Sequence, residues 1–343
     1  MTLHKRLLLA ASAAALLLSP LAAARAADAV KLAGETAIPG YEGDFDHFDV
    51  DVKGDRLFLA GEEGKTLEVF KLSTGQRIVE LKGLATPHSL LWLPKTNELL
   101  VIDGEKGLMW RDGKTLKVKR VKALGAASAD SAAYDPASGR LFVVTGGKDV
   151  SMPVSFLNAV DPHSGRTLWA TKFASDHVEA LAVEAKGGRI FINDTARNEL
   201  VVLDKTTGKV LKSVKVKEAE QNAPIALDEA THRLFVVTRK PGKLIVMNAD
   251  TLATIAEFTA PGRTDQVTWD PMNRRVYVTG GEGYVSVVEQ IDADHYAEVQ
   301  RAPSGLGAKT AILTPDAKRL YVAQSPGDTK ALGKLIWFDI SPR

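Results

Sequence analysis

The 343-residue chain contains no cysteine. That excludes disulfides, a thiol nucleophile and a lipid anchor of the bacterial lipoprotein kind, so stability has to come from the core. An excess of one charge is missing too: 44 Lys and Arg stand against 42 Asp and Glu. Residues 1–26 carry Lys5, Arg6 and Arg25 and no acid, so the remainder has 41 basic and 42 acidic residues, net −1. A nucleic-acid footprint needs a basic surplus or patch, and none shows in these counts. The apolar stretch Leu7–Leu18 is too short to span a bilayer comfortably, and no later segment is apolar enough. There is no Gly-x-Ser-x-Gly elbow, no His-Glu-x-x-His and no EF-hand loop, and Gly64-Lys65-Thr66 lacks the upstream glycine of a P-loop.

What is present begins with His4-Lys5-Arg6, then Leu7–Leu18, Pro20 and Ala24-Arg25-Ala26. A basic head, an apolar centre and a small-residue end form the order of a secretory signal peptide. Cleavage is expected after Ala26, leaving a single mature domain, 27–343, that is soluble, monomeric and periplasmic or secreted.

The rest of the chain repeats. A polar residue followed by a short apolar strand recurs as Arg56-Leu-Phe-Leu, Glu98-Leu-Leu-Val, Arg140-Leu-Phe-Val, Arg189-Ile-Phe-Ile, Arg233-Leu-Phe-Val, Arg275-Val-Tyr-Val and Arg319-Leu-Tyr-Val. The spacings, 42 to 49 residues, are those of four-stranded propeller blades. In the unit around 232–261 the pattern predicts an inner strand at Ile225–Asp228 and further strands over 233–238, 243–248 and 253–259. Turn signals such as Asp161–Gly165 and Asp204–Gly208 separate strands rich in Val, Ile, Leu, Phe and Thr. The last unit shows only three strands, near 310–314, 319–323 and 334–339. The segment 29–38, AVKLAGETAI, supplies the fourth and closes the ring, which removes the exposed edges of an open array. The fold expected is therefore all-β: a seven-bladed propeller of four-stranded blades.

On Arg275-Val-Tyr-Val-Thr-Gly-Gly, Arg319-Leu-Tyr-Val-Ala, and Asn222-Ala-Pro-Ile-Ala-Leu-Asp-Glu-Ala with His232-Arg-Leu-Phe-Val, the chain resembles the periplasmic YncE-like, YVTN-repeat seven-bladed propellers over essentially all of 28–340. It departs from the signature at Gly280, where the motif has Asn. The resemblance implies fold and export, and no single chemistry. DNA binding is attached to some such relatives; the charge balance argues against it here.

Aligning the units ten residues before each anchor gives Asp46, His88, Asp130, Glu179, Ala223, Asp265 and Lys309. These positions start the inner strands, so their side chains should ring one mouth of the channel, on the face that also carries the loops between the second and third strands. His47 follows Asp46, and Arg239 and Lys240 are expected as rim contacts. His177 could join the ring. Loops on one rim of a rigid scaffold are a usual seat of binding, and carboxylates crowded at a mouth repel one another and attract a cation. Lys309 is expected to relieve that repulsion beside Asp46. The bland alternative is a solvated lip whose Asp side chains cap nearby backbone. If a metal bound, Asp46, His47 and His88 would share it, with calcium suiting the oxygens and zinc the histidines. A ring without metal or other cofactor is the first expectation.

The reading is thus a non-catalytic exported propeller that binds a small ligand, a cation or a protein partner at this mouth. The enzymatic alternative is a metal-dependent lactonase or other hydrolase using Asp130, Glu179, Asn222 and Asp265 there. The third is a pure interaction scaffold. Ala159-x-Asp161-x-x-Ser164-Gly165-Arg166-x-x-Trp169 approaches the tryptophan-docking motif of quinoprotein propellers. It occurs once and reads best as a turn with a packed Trp.

Overall fold

The computed structural model describes residues 28–217, 219–327 and 331–343. The signal-peptide expectation for 1–26 lies outside the described residues. Seven antiparallel four-stranded sheets follow one another along the chain. Blades 1 to 6 occupy 48–82, 87–122, 132–173, 178–215, 220–259 and 266–303. Blade 7 takes three strands from the C-terminus, Ala308–Leu313, Arg319–Gln324 and Lys334–Ile340, and its outermost strand, Val30–Ala37, from the N-terminal side. Val30 pairs with Ile340 and Ala37 with Lys334, which closes the ring as the segment 29–38 predicted.

In blade 5 the strands are Glu220–Asp228, Arg233–Lys240, Gly242–Asn248 and Thr254–Thr259. The second strand runs further than its apolar pattern because the hairpin is tight: Arg239 still pairs with Gly242.

Alternation along the strands explains the packing. Leu57 and Leu59 face blade 7, and Phe58 and Ala60 face blade 2, because successive side chains point to opposite sides of a sheet. Seven clusters of buried apolar side chains result, each between two adjacent blades, from Phe58 with Leu99 to Tyr277 with Val322. The core is therefore a ring of interfaces, and each blade needs both neighbours to bury its faces.

Tryptophans and turn glycines add to the contact. Trp110 of blade 2 is fully buried and donates Nε1–H to the Pro162 carbonyl of blade 3 at 2.7 Å. A Cβ placed on Gly165 would lie 2.7 Å from Trp110 Cη2; one on Gly208 would lie 2.5 Å from Trp169 Cε3; one on Gly75 would lie 2.5 Å from Trp337 Cζ3. The motif that ends in Trp169 thus receives the preceding blade's Trp110 at Gly165, while Trp169 itself lies on the turn of the following blade.

Candidate functional site

The mouth residues reach the channel through irregular strand starts. In blades 2, 4, 5 and 7 the register between inner and second strand shifts at Pro87/Ser89, Val178/Leu181, Asn222/Ile225 and Ala308/Thr310. His88, Glu179, Ala223 and Lys309 fall inside those shifts. A bulge leaves a residue outside the ladder and re-aims its side chain. In blades 1, 3 and 6, Asp46, Asp130 and Asp265 stand just ahead of the inner strands. Neighbouring strand starts are tied together as well: His47 N–H donates to the His88 carbonyl at 3.1 Å, and Asp265 N–H to that of Lys309 at 3.2 Å.

The seven aligned positions all line one cavity of about 500 Å³, together with His47, Arg239 and His177. Asp44, Glu62, Glu105, Lys148 and Asp149 line it too. Sequence alignment at one position missed these. Glu62, Glu105, Lys148 and Asp149 lie on loops between second and third strands, which the sequence places on this face without assigning their side chains to the site.

Three expectations are corrected. Lys240 does not line the cavity: it is consecutive with Arg239 in one strand, so the two point to opposite faces. Lys309 makes its ion pairs away from Asp46, its Nζ 2.6 Å from Asp44 Oδ2 and 3.0 Å from Asp265 Oδ2, and acts on the Asp46 carboxylate only through its charge, which still favours the ionised form. Asn222, included for a hydrolase, is fully buried and donates Nδ2–H to Asn193 Oδ1 at 2.7 Å and to the Glu199 carbonyl at 2.9 Å. It is a strut between blades 4 and 5, and only Ala223 and Pro224 of that strand start reach the cavity wall.

The ring divides into two arcs. One is a chain of linked side chains whose charge alternates from Glu179 onward. Lys148 Nζ lies 3.1 Å from His177 Nε2, which is 2.7 Å from Glu179 Oε1; Glu179 is 3.2 Å from Arg239 Nη1. Arg239 continues to Asp265 through Nη2, then Lys309 and Asp44 follow. Burial opposes ionisation of Glu179, but the His177 hydrogen bond and Arg239 prevail and hold it at about 2. Burial likewise works against charge on Arg239 and Lys309, and Asp265 beside them outweighs it, so both are held more firmly protonated.

The other arc has one imidazole among three carboxylates. His88 Nδ1 is 2.8 Å from Asp46 Oδ2, 3.6 Å from Asp130 Oδ1 and 3.9 Å from Glu62 Oε1. His47 stands beside it, Nε2 3.4 Å from Asp46 Oδ1. Burial disfavours the imidazolium, yet Asp130 and Asp46 push His88 up to about 10. Burial also disfavours the Asp46 carboxylate, but His47 and His88 keep it below the usual range. Glu62 is pushed up to about 8 by burial and by Asp46, and Asp130 to about 6 by burial, against the pull of His88. Donor atoms of Asp46, Glu62 and His88 all lie within 4.8 Å of one another. The set that could share an ion therefore replaces His47 with Glu62.

The family model PQQ_2, described as outer membrane protein assembly factor BamB, matches residues 155–337, more than half of the chain. The chain belongs to that family. Two curated relatives, both named uncharacterized protein YncE, from Salmonella typhi and Salmonella typhimurium, are 27% identical over 154 residues, 44% of this chain and 42% of each relative. The match spans less than half of those relatives' length. Together with the seven blades, it makes this a YncE-like propeller. Among solved structures, a chain of a mitotic checkpoint complex superposes with a TM-score of 0.72 at 14% identity, over 98% of this chain and 99% of that one. A chain of Kuenenia stuttgartiensis hydrazine synthase gives 0.69 at 13%, over 87% and 98%. At such identities the likeness concerns the fold alone. Among the described residues no helix is long and apolar enough to cross a membrane.

Proposed function

We propose that the chain is an exported, periplasmic or secreted, non-catalytic propeller that binds a small cationic ligand at the channel mouth. The observation that carries this reading is the charge of the cavity wall. Eight acidic side chains line it, Asp44, Asp46, Glu62, Glu105, Asp130, Asp149, Glu179 and Asp265, against Lys148, Arg239, Lys309 and a protonated His88, so negative charge stays in surplus even with Glu62 holding its proton near neutral pH. A cavity of about 500 Å³ suits a small molecule, and a polar wall of surplus negative charge selects one that carries positive charge. The bulged strand starts hold these groups on a rigid ring, which limits the ordering cost of binding.

The test is calorimetric titration of the 27–343 chain with small amines and diamines at low salt, beside an Asp46→Asn/Asp130→Asn variant. Binding that weakens in the variant and with added salt supports the reading; no heat with any cation in wild type overturns it. Export is tested separately by the mass of the protein recovered from outside the cytoplasm, expected to begin at Ala27.

A second reading, assembly with a protein partner at the same rim, is favoured by the family model's description as an assembly factor. Cross-linking from a residue placed at Lys148, set against one on an outer strand such as Val210, distinguishes a rim partner from none. The chain is read as a monomer, to be checked by its sedimentation mass.

A further inference from the structure

Resting on the reading of the mouth as a cation site, we propose that Asp46, Glu62 and His88 hold a divalent first-row transition ion of the zinc class. Two independent observations meet here. The first is geometric. Two carboxylate oxygens and His88 Nδ1 lie within 4.8 Å of one another, on three segments that the backbone already fixes. Asp46 N–H donates to the Ala60 carbonyl at 2.9 Å and Lys65 N–H to that of Glu62 at 3.3 Å, while His47 N–H holds the His88 carbonyl. The second is electrostatic. In the other arc Lys309 is paired with Asp44 and Asp265, and Arg239 with Glu179 and Asp265, so each of those three carboxylates already has a cation. This arc sets three carboxyl groups against two imidazoles, and among the described residues the Glu62 carboxylate has no hydrogen bond, His88 Nδ1 standing 3.9 Å from it.

The donor set selects the ion. Calcium takes six to eight oxygens and magnesium an oxygen octahedron, neither of which three side chains including an imidazole supply. Two carboxylates and one imidazole suit zinc or a neighbouring transition ion, with a fourth position left open towards the cavity. Asp130, whose Oδ1 is 3.6 Å from the same nitrogen, stands within reach of that position.

The experiment uses the 27–343 chain after dialysis against a chelator and then against metal-free buffer. Zinc and calcium are titrated by calorimetry, cobalt is followed by its visible absorption, and a diamine is titrated in parallel. One zinc per chain is expected, with calcium about 100-fold weaker or more. Glu62→Gln should weaken zinc about tenfold or more and shift the cobalt bands, while His47→Ala changes affinity by less than about threefold. Glu62→Gln is nearly isosteric on a turn, and an unchanged melting temperature shows that its fold is intact. Zinc that fails to bind, or binds equally to Glu62→Gln, overturns the metal site. If the diamine still binds, the cation reading stands without the metal; if neither ligand binds, both fall.

Discussion

Arg189 Nη1 donates to the carbonyl of Ala249, 2.9 Å away in the next blade, while Nε and Nη2 grip Glu184 of its own blade at 2.9 and 2.5 Å. The same relation recurs at the repeat's anchor position. Arg140 reaches the Lys205 carbonyl at 3.2 Å, Arg233 that of Ala293 at 2.8 Å, Arg275 that of Ser341 at 2.6 Å and Arg319 that of Ser73 at 2.5 Å; Arg56 reaches Gly113. Each bond leads from one blade to the turn between the third and fourth strands of the next, or, from blade 6, to the C-terminal end of blade 7. The arginine that marks the repeat in sequence is thus the polar counterpart of the apolar interfaces. Arg189→Ala leaves Glu184 and the Ala249 carbonyl without this partner, and a loss of about 2–3 kcal/mol is expected in denaturant unfolding. Arg189→Lys should recover less than half of it, because an ammonium cannot reproduce the planar fork.

Blade 2 has Glu98 at the anchor, and there the bond comes from elsewhere. Arg120 Nη2, in the fourth strand of the same blade, donates to the His163 carbonyl of blade 3 at 2.5 Å and lies 3.8 Å from Glu98 Oε2. Its guanidinium also sits 4.2 Å from the centre of the Trp110 ring. Arg120→Ala is expected to cost about 1 kcal/mol through the lost bond and cation–π contact. Lys119→Ala, which removes only a half-exposed partner of Glu98, should stay within about 0.5 kcal/mol, and thermal melts of the two variants side by side check the difference.

Gly208 is tied to its neighbour blade by a turn with φ +74° and by Trp169 lying over it. Thr171 Oγ also donates to the Gly208 carbonyl at 2.7 Å. Gly208→Ala adds left-handed backbone strain and a methyl 2.5 Å from the indole. A cost of about 1–3 kcal/mol is expected, whereas Gly188→Ala, whose Cβ would meet nothing within 4 Å, should be near neutral.

The ring of blades was legible because each unit repeats one strand pattern and one anchor, so even Glu98 could be placed by spacing. The aligned mouth position was legible for the same reason: one register position per blade must face the channel. Partner choice was not. Nothing in the spacing says that Lys309 turns to Asp44 and Asp265 and away from Asp46, since that depends on how a bulge aims a side chain. The loop of Glu62 could be placed on this face, but its side chain could not be assigned to the site, because period-2 reasoning does not apply to a loop. Asn222 looked like a mouth residue by position, but the bulge turns it into the blade interface, where it bonds Asn193.

Glu179 gives the compensated arc a pH dependence of definite sign. Its carboxyl, ordinarily at 4.5, is held at about 2 in the folded chain by His177 and Arg239 against the cost of burial. A group whose folded value is depressed stabilises the fold above its unfolded value and loses that contribution as pH falls towards the folded one. Its share is therefore complete above about pH 5 and declines between there and about pH 2. Other paired acids titrate in the same range, so the informative quantity is a difference between proteins. Glu179→Gln is expected to be less stable than wild type at pH 7, by about 1–3 kcal/mol, because Arg239 loses one of its two carboxylates. That gap should narrow steadily as pH is lowered from 5 to 3, measured by urea unfolding of both proteins at each pH. A gap that stays constant over this interval would mean that Glu179 is not held ionised by its neighbours in the folded ring, and that its effect at pH 7 comes from packing alone.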